Sequence, residues 1–460
     1  MTQSSGLLLS KYPLWLQWVG AFGVMLKLFA CGLSVGWASP YLASFTSGTA
    51  PFPATTDEVS WMASTYQLGR FPGAILGAVG VQYFGGKIVI IGNAVVLLIS
   101  WILVIVSNSV PWIYAARFLS GLCVEAANIC YPLYLGDISS PSIRGTLMVL
   151  AINGLSLGIV AGYAIGPYVS MRVFSGIGVA LIIGCIVIVT LLPQSPYYLV
   201  SKNKTKEAEN SVLSYNRKAD VQLEMDLIRK FVARTESITF TDRLRELNLP
   251  KNRKYGLILI ALIFFMQTSG MNVLITYTES IATRGMLSLI SPSTMPITMG
   301  GLTILGAWTS MYYVDKFERK TVWVFSTAGL ALNLIALGTH FYLLDVGVDP
   351  SYLQWLFILS VSIYGAFSSM GMGSIPYILL SELFGSNIRT LAICICCSVG
   401  GLSGFVGIYG YQYLLEVIAE SYIYWITGAW VFVALIFGLV LVPNTKGKTL
   451  TEIQDVLLEN

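Results

Sequence analysis

Two groups of residues in this sequence are of the right type and spacing to do chemistry. The first lies within one long apolar segment: Gln267, Thr268, Asn272, Thr276, Tyr277 and Glu279. A carboxamide both donates and accepts hydrogen bonds, so Gln267 and Asn272 suit a ligand rich in hydroxyl groups; the other use of such groups is as polar glue between helices. Thr268, Asn272, Thr276 and Glu279 follow i, i+4, i+8, i+11 spacing and fall on one helical face. Gln267 and Asn272 are about 140° apart on a straight helix, so both face one cavity only if the helix unwinds near Ser269-Gly270. The second group is Lys27, Arg70 and Glu125, each near the middle of its own apolar run. A charge at the centre of a membrane span costs ~3 kcal/mol on insertion scales, so it faces a cavity or a partner. We expect Glu125 to pair with Arg70 or Lys27, either shaping a central cavity or as a purely structural pair. A cation beside Glu125 holds it ionised and argues against a proton carrier. Arg117, Gly121, Glu125 and Asn128 share one face, with Arg117 two turns away.

The elements that must position these groups are membrane helices. Of 460 residues 55% are hydrophobic and only 11% charged, with mean hydropathy +0.72, where a soluble domain carries roughly 25% charge. A net charge of +4 is too small to argue for nucleic acid. One histidine and seven cysteines, the latter all in apolar runs, leave little for metal binding, nucleophilic catalysis or an extracellular disulfide frame. Neither a nucleophile–base pair nor a cofactor loop is visible, so neither an enzyme nor a cofactor is expected. Apolar runs of span length fall near 16–38, 60–81, 88–107, 112–134, 146–168 and 173–193, and again near 255–283, 294–314, 321–343, 353–381, 390–413 and 422–442. The chain therefore reads as an all-α membrane protein of twelve spans: a six-helix bundle over 1–193, a charged helical linker over 194–254, a second bundle over 255–442 and a tail over 443–460. The first apolar segment shows no signal-peptide cleavage pattern and is expected to be retained.

Lysine and arginine collect on one side: Lys11, Lys87, Arg144, the linker, Lys316, Arg319, Lys320, Arg389, Lys446 and Lys448, against Arg172 and Arg284 on the other. That bias puts both termini and the linker in the cytoplasm, where the sequon Asn203-Lys204-Thr205 is inert. Two loops on this side repeat each other. Asp137 to Arg144 reappears, altered, as Glu382 to Arg389, 245 residues on. The loops after spans 2 and 8, and the ends of spans 6 and 12, also match in order, so the halves are related.

Pro132-Leu133-Tyr134-Leu135-Gly136-Asp137 with Arg144-Gly145, Arg117-x-x-x-Gly121, Gln267-Thr268-Ser269-Gly270-Met271-Asn272, Ile375-Pro376-Tyr377, Pro193-Gln194-Ser195-Pro196 and Pro443-Asn444-Thr445-Lys446 together resemble the sugar porter branch of the major facilitator superfamily. Gly32-Leu33-Ser34-Val35-Gly36-Trp37-Ala38-Ser39-Pro40 is similar to span 1 of insect facilitated trehalose transporter-like proteins. The resemblance implies two bundles that rock about a central site, with Gln267, Asn272, Thr276, Tyr277, Thr303, Tyr377 and Asn153 as substrate-binding positions. It also shows departures: the family's paired glutamines of span 7 are Met266-Gln267 here, its span-5 glutamine aligns with Ile152 beside Asn153, its span-8 asparagine with Thr303, and its span-10 tryptophan and glutamate with Tyr377 and Ser369. Such losses remove hydroxyl partners.

In that family, loop acids and arginines form a latch that closes the cytoplasmic side. Asp137, Arg144, Asp315, Arg319, Glu382 and Arg389 remain here, whereas Gln82, Gly86, Gln194 and Asn444 replace the other charges. The expected function is a carrier in the lipid bilayer, that of the plasma membrane, for a sugar or related small polar solute. Span 1 carries no acid, which favours facilitated diffusion. A charged or non-sugar solute, and a solute sensor without flux, are the alternatives.

Overall fold

In a computed structural model the protein is described over residues 14–218, 220–236 and 239–443, apart from the side chains of 234–236, Asp315 and Ser386. Lys11 and the stretch from Asn444, with its expected tail motif, lie outside the described residues. The described chain is helical, with no strand among the described residues.

The first half consists of α1 (Trp15–Gly36), α2 (Ala38–Thr46), α3 (Thr56–Phe84), α4 (Gly86–Val106), α5 (Val110–Ile138), α6 (Arg144–Ile165) and α7 (Met171–Leu191). The linker folds as α8 (Pro196–Ser201), α9 (Thr205–Tyr215), α10 (Val221–Glu236) and α11 (Phe240–Leu247). The second half follows as α12 (Pro250–Thr268), α13 (Met271–Arg284), α14 (Met295–Lys316), α15 (Arg319–Asp345), α16 (Pro350–Phe367), α17 (Ile375–Leu383), α18 (Ser386–Val417) and α19 (Glu420–Leu441). Ten of these, counting α1–α2, α12–α13 and α16–α17 as continuous pairs, are long and apolar enough to cross a membrane. The remaining two, α3 and α14, have 29 and 22 residues but are less apolar.

Helix limits lie close to the expected spans, with one clear difference: the first span runs on through Trp37 as α2, to Thr46. The repeated loop from Asp137 to Arg144 is also shorter than expected. α5 continues to Ile138 and α6 starts at Arg144, while in the second copy Glu382 still belongs to α17.

Small residues set the packing. A Cβ on Gly69 or Gly73 of α3 would strike the backbone of Phe118 or Leu122 on α5, and one on Gly77 would lie 2.8 Å from the Ala126 Cα. The reciprocal contact is Gly121 against the Tyr66 carbonyl. Backbones this close are the usual means of helix association where lipid provides no hydrophobic drive. They leave one rotation for α3 against α5. α1 lies along α6 in the same manner, through Gly32 and Gly158. The halves meet where α3 packs on α18, α2 on α13, and α6 on α14.

The linker has a small core of its own, made of Leu199, Ala208, Val212, Met225 and Ile228. It is tied to the first half by Gln17, whose amide donates to the Ser140 hydroxyl (2.9 Å) and the Tyr215 carbonyl (3.0 Å) and accepts from the Ser140 N–H (2.9 Å).

Candidate functional site

The glycine contacts between α3 and α5 turn Arg70 toward Glu125. Arg70 Nε donates to Glu125 Oε2 at 2.6 Å, with the carboxylate side chain 1% and the guanidinium 12% exposed. Arg70 Nη1 donates to Gln67 Oε1 at 2.8 Å, one turn back on the same face. Gln67 lies at the seam between halves: a Cβ on Gly404 of α18 would sit 3.1 Å from Gln67 Cδ and 3.4 Å from Asn272 Nδ2. Asn272 Nδ2 donates in turn to Gln267 Oε1 (2.6 Å) and to the Gln267 carbonyl (3.1 Å). Cys397 of α18 lies near Glu125, and Tyr377, 40% exposed, lies near Arg70. Glu125, Arg70, Gln67, Asn272 and Gln267 thus form a polar band that starts in one half and ends in the other.

The band requires a break in the second half. Gly270 takes φ +92° between α12 and α13, a left-handed conformation that costs a Cβ-bearing residue about 1–2 kcal/mol. The break brings Gln267 and Asn272 together despite their five-residue separation. It also corrects the expected stripe. Thr268 turns away from Asn272: its hydroxyl donates to the Phe264 carbonyl (2.7 Å) and accepts from Trp430 Nε1 (2.9 Å) on α19. Periodicity across a broken helix does not hold, because the break resets the rotation.

The remaining expected positions are more dispersed. Thr276 and Tyr277 are 6% and 4% exposed, with the Tyr277 ring 5.8 Å from that of Tyr411. Thr303 bonds back to the Met299 carbonyl (2.8 Å), where α14 meets α16. Asn153 accepts from Trp308 Nε1 across the halves at 3.2 Å. Arg117 stays in the first half, donating to the Ser34 carbonyl (2.6 Å) beneath the rings of Trp37 and Tyr66. Lys27 does not meet Glu125. It is 1% exposed, and its Nζ has no hydrogen-bond partner among the described residues. Gln67 and Cys397 escaped the sequence reading, although Gln67 was detectable as the amide one turn before Arg70.

A cavity of about 750 Å³ opens between the halves on the face opposite the linker, lined by Tyr41, Tyr168, Glu279, Ser280, Thr283 and Arg284 among others. Glu279 joins α13 to α2 through its N–H and the Ser39 hydroxyl (3.2 Å). Arg284 is held by Glu420 in a two-point pair at 2.8 and 2.9 Å.

On the linker face, Asp137 accepts from the Ser195 hydroxyl at 2.7 Å, and Arg144 donates to the Ser139 carbonyl at 3.2 Å. Arg319 pairs with Glu382 at 2.7 Å, and Arg389 donates to the Phe384 carbonyl at 3.4 Å. None of these four contacts joins the two halves: Asp137 reaches the start of the linker, and the other three stay within a single half. The side chain of Asp315 lies outside the described residues.

Comparison with known proteins gives these features a family. The pattern of the family described as sugar (and other) transporter matches residues 18–457. The chain belongs to that family. It is 30% identical to the facilitated trehalose transporter Tret1 of Polypedilum vanderplanki over 440 residues, covering 95% of this chain and 87% of that one. It is 29% identical to the Tret1 of Drosophila mojavensis, covering 96% of this chain; the chain spans about half (51%) of that longer relative. The fold is similar to an inward open conformation of the xylose transporter XylE from E. coli, with TM-score 0.78, 20% identity, and 97% and 100% of the two chains covered. The architecture is the major facilitator fold.

Proposed function

We propose that this member of the family is a transmembrane carrier that moves a sugar or related small polar solute by alternating access and facilitated diffusion. The observation that carries this reading is the polar band Glu125–Arg70–Gln67–Asn272–Gln267, which crosses between the halves beside the break in α12–α13. Where two related halves meet at mid-membrane, a solute binds to both and is released as they rock. The band's amides offer donors and acceptors to hydroxyl groups. Its two charges neutralise each other at 2.6 Å, so the site has no net charge with which to select an ion. That favours a neutral solute over the charged one that Arg70 and Glu125 taken singly would suggest. The relatives' name supports a sugar, trehalose in their case.

Facilitated diffusion is supported by Arg117. It rests on a carbonyl and two aromatic faces, with no carboxylate on α1 or α2 to carry a proton. In this reading α3 and α14 cross the membrane with the other ten, residues 1–193 and 255–442 are the rocking bundles, and the linker, termini and latch residues lie on the cytoplasmic side of the plasma membrane. Asn153, Thr303, Thr276, Tyr277 and Tyr377 complete the cavity wall as the halves move.

The test is uptake of radiolabelled trehalose, monosaccharides and organic ions into proteoliposomes containing the full chain. The expected result is saturable sugar uptake that is indifferent to a protonophore, with Gln267→Ala raising KM roughly tenfold through loss of one to two hydrogen bonds. Uptake confined to ions, or uptake abolished by the protonophore, would overturn the reading.

A further inference from the structure

Where the linker returns to the membrane, it makes a groove that the transport reading does not use. α11 is started by a reciprocal cap: the Thr239 hydroxyl donates to Asp242 Oδ2 (2.5 Å), and the Asp242 N–H donates back to that hydroxyl (3.2 Å). These bonds hold the Asp242 carboxyl below its ordinary range. α12 begins at Pro250, almost at once after α11 ends. Between α11, the first turns of α12 and the start of α18 lies a groove of about 430 Å³. Its walls are apolar, formed by Leu247, Leu257, Ile260, Phe384, Ala392 and Ile395. It opens sideways past Leu257, which is 62% exposed on a membrane-spanning helix, so the opening faces acyl chains.

The mouth is different in character. Asn248, Asn252 and Arg253 line it, and the stretch 243–254 carries Arg243, Arg245, Lys251, Arg253 and Lys254 against one acid, Glu246. Two of these cations, Lys251 and Arg253, fall in the first turn of α12 and Lys254 follows directly; that turn has no acidic residue and no side-chain cap. A helix start is the positive end of its dipole, where cations are unfavourable and an anion is favoured. Arg253 and Lys254 are both exposed at the level where the helix leaves the bundle. An apolar channel reached from the lipid side, with a cationic mouth at the membrane surface, matches one kind of molecule: an amphiphile with a negative head.

We propose that this groove binds one anionic phospholipid of the leaflet on the linker side. Its phosphate sits at Arg253, Lys254 and the open first turn of α12, and one acyl chain lies along Leu257 and Ile260 against Phe384. Charge complementarity selects the head, since basic residues at a membrane helix end draw acidic lipids. The apolar walls select a lipid over a free anion, which would leave the groove empty. The site lies outside the polar band and does not depend on what the protein carries.

The experiment uses the full chain in lipid nanodiscs, with bound lipid counted by native mass spectrometry as phosphatidylserine is titrated against phosphatidylcholine. The expected result is one phosphatidylserine retained in preference to phosphatidylcholine. Arg253→Gln with Lys254→Gln weakens it about thirtyfold, the combined worth of two interfacial cations. Gly256→Leu tests the channel with the charges intact. The nearest atom to a Cβ there is Phe384 Cζ at 4.0 Å, so the added side chain enters the groove and not a packed neighbour. This variant also loses the preferred lipid. Equal retention of the two lipids by the wild-type chain overturns the proposal. So does unchanged binding in either variant, or displacement of the lipid by excess inorganic phosphate. An altered melting profile in one variant leaves the other to decide.

Discussion

Arg70 and Glu125 should behave energetically as one unit, and the structure sets the size of the effect. Arg70→Met leaves the Glu125 carboxylate 1% exposed and without the guanidinium that is its ion-pair partner. Removing one partner of a buried pair costs about 3–5 kcal/mol, and this near-complete burial puts the change around 4 kcal/mol. Glu125→Leu is milder, about 2–3 kcal/mol, because Arg70 keeps Gln67 at 2.8 Å and is 12% exposed. The double change removes both desolvated charges and should fall within about 1 kcal/mol of the wild type. A coupling of about 4 kcal/mol or more follows, well above the ~0.5 kcal/mol scatter of independent sites. The assay is a double-mutant cycle on thermal unfolding of purified protein, in which Arg70→Met alone lowers the midpoint by about 4 °C. Additive single changes would refute the reasoning. Sugar uptake by the double variant then separates roles: intact transport makes the pair structural, while lost transport with restored stability makes it part of the solute site.

Lys27→Met should raise the unfolding midpoint, since it replaces a buried ammonium that lacks a hydrogen-bond partner with an apolar chain of similar length; about 1–3 kcal/mol is at stake. An unchanged or lower midpoint would mean that Lys27 has a stabilising role. Gly121→Ala should cost several kcal/mol and abolish uptake, because its Cβ collides with the Tyr66 carbonyl and forces α3 away from α5, moving Arg70 off Glu125. Normal folding and normal uptake in that variant would show that the helix contact is slack. None of the latch contacts joins the two halves, and ion pairs at a protein surface are worth roughly 0–1 kcal/mol each. Loss of several charges therefore shifts the resting state toward the linker-side-open form by a factor of about ten, which spin-label distances across that face report. A mainly closed linker face would count against it.

Much of this protein is legible in the linear chain. The hydropathy that insertion requires marks ten of its helices, because an apolar run of span length has few other uses in a chain so poor in charge. The loops at Asp137–Arg144 and Glu382–Arg389 repeat one another in the sequence, and Ser269-Gly270 marks the break in α12–α13, since Gly270 alone in that stretch tolerates a positive φ. Periodicity places Arg70 and Glu125 on faces of their own helices. It says nothing of which helix each face meets. That choice depends on backbone approach: the Gly69, Gly73 and Gly77 contacts with α5 fix a rotation that gives Glu125 to Arg70 and leaves Lys27 without a partner. The same holds for Gln67 and Gly404, brought together by a contact between halves more than 330 residues apart in sequence. Thr268 shows the limit most directly. It obeyed the spacing and still faces Trp430 while Asn272 faces Gln267, because the left-handed residue between Thr268 and Asn272 breaks the rotation the two would otherwise share. Local sequence sets what each helix is and which residues share its faces; the meeting of faces is settled by close packing among helices distant along the chain.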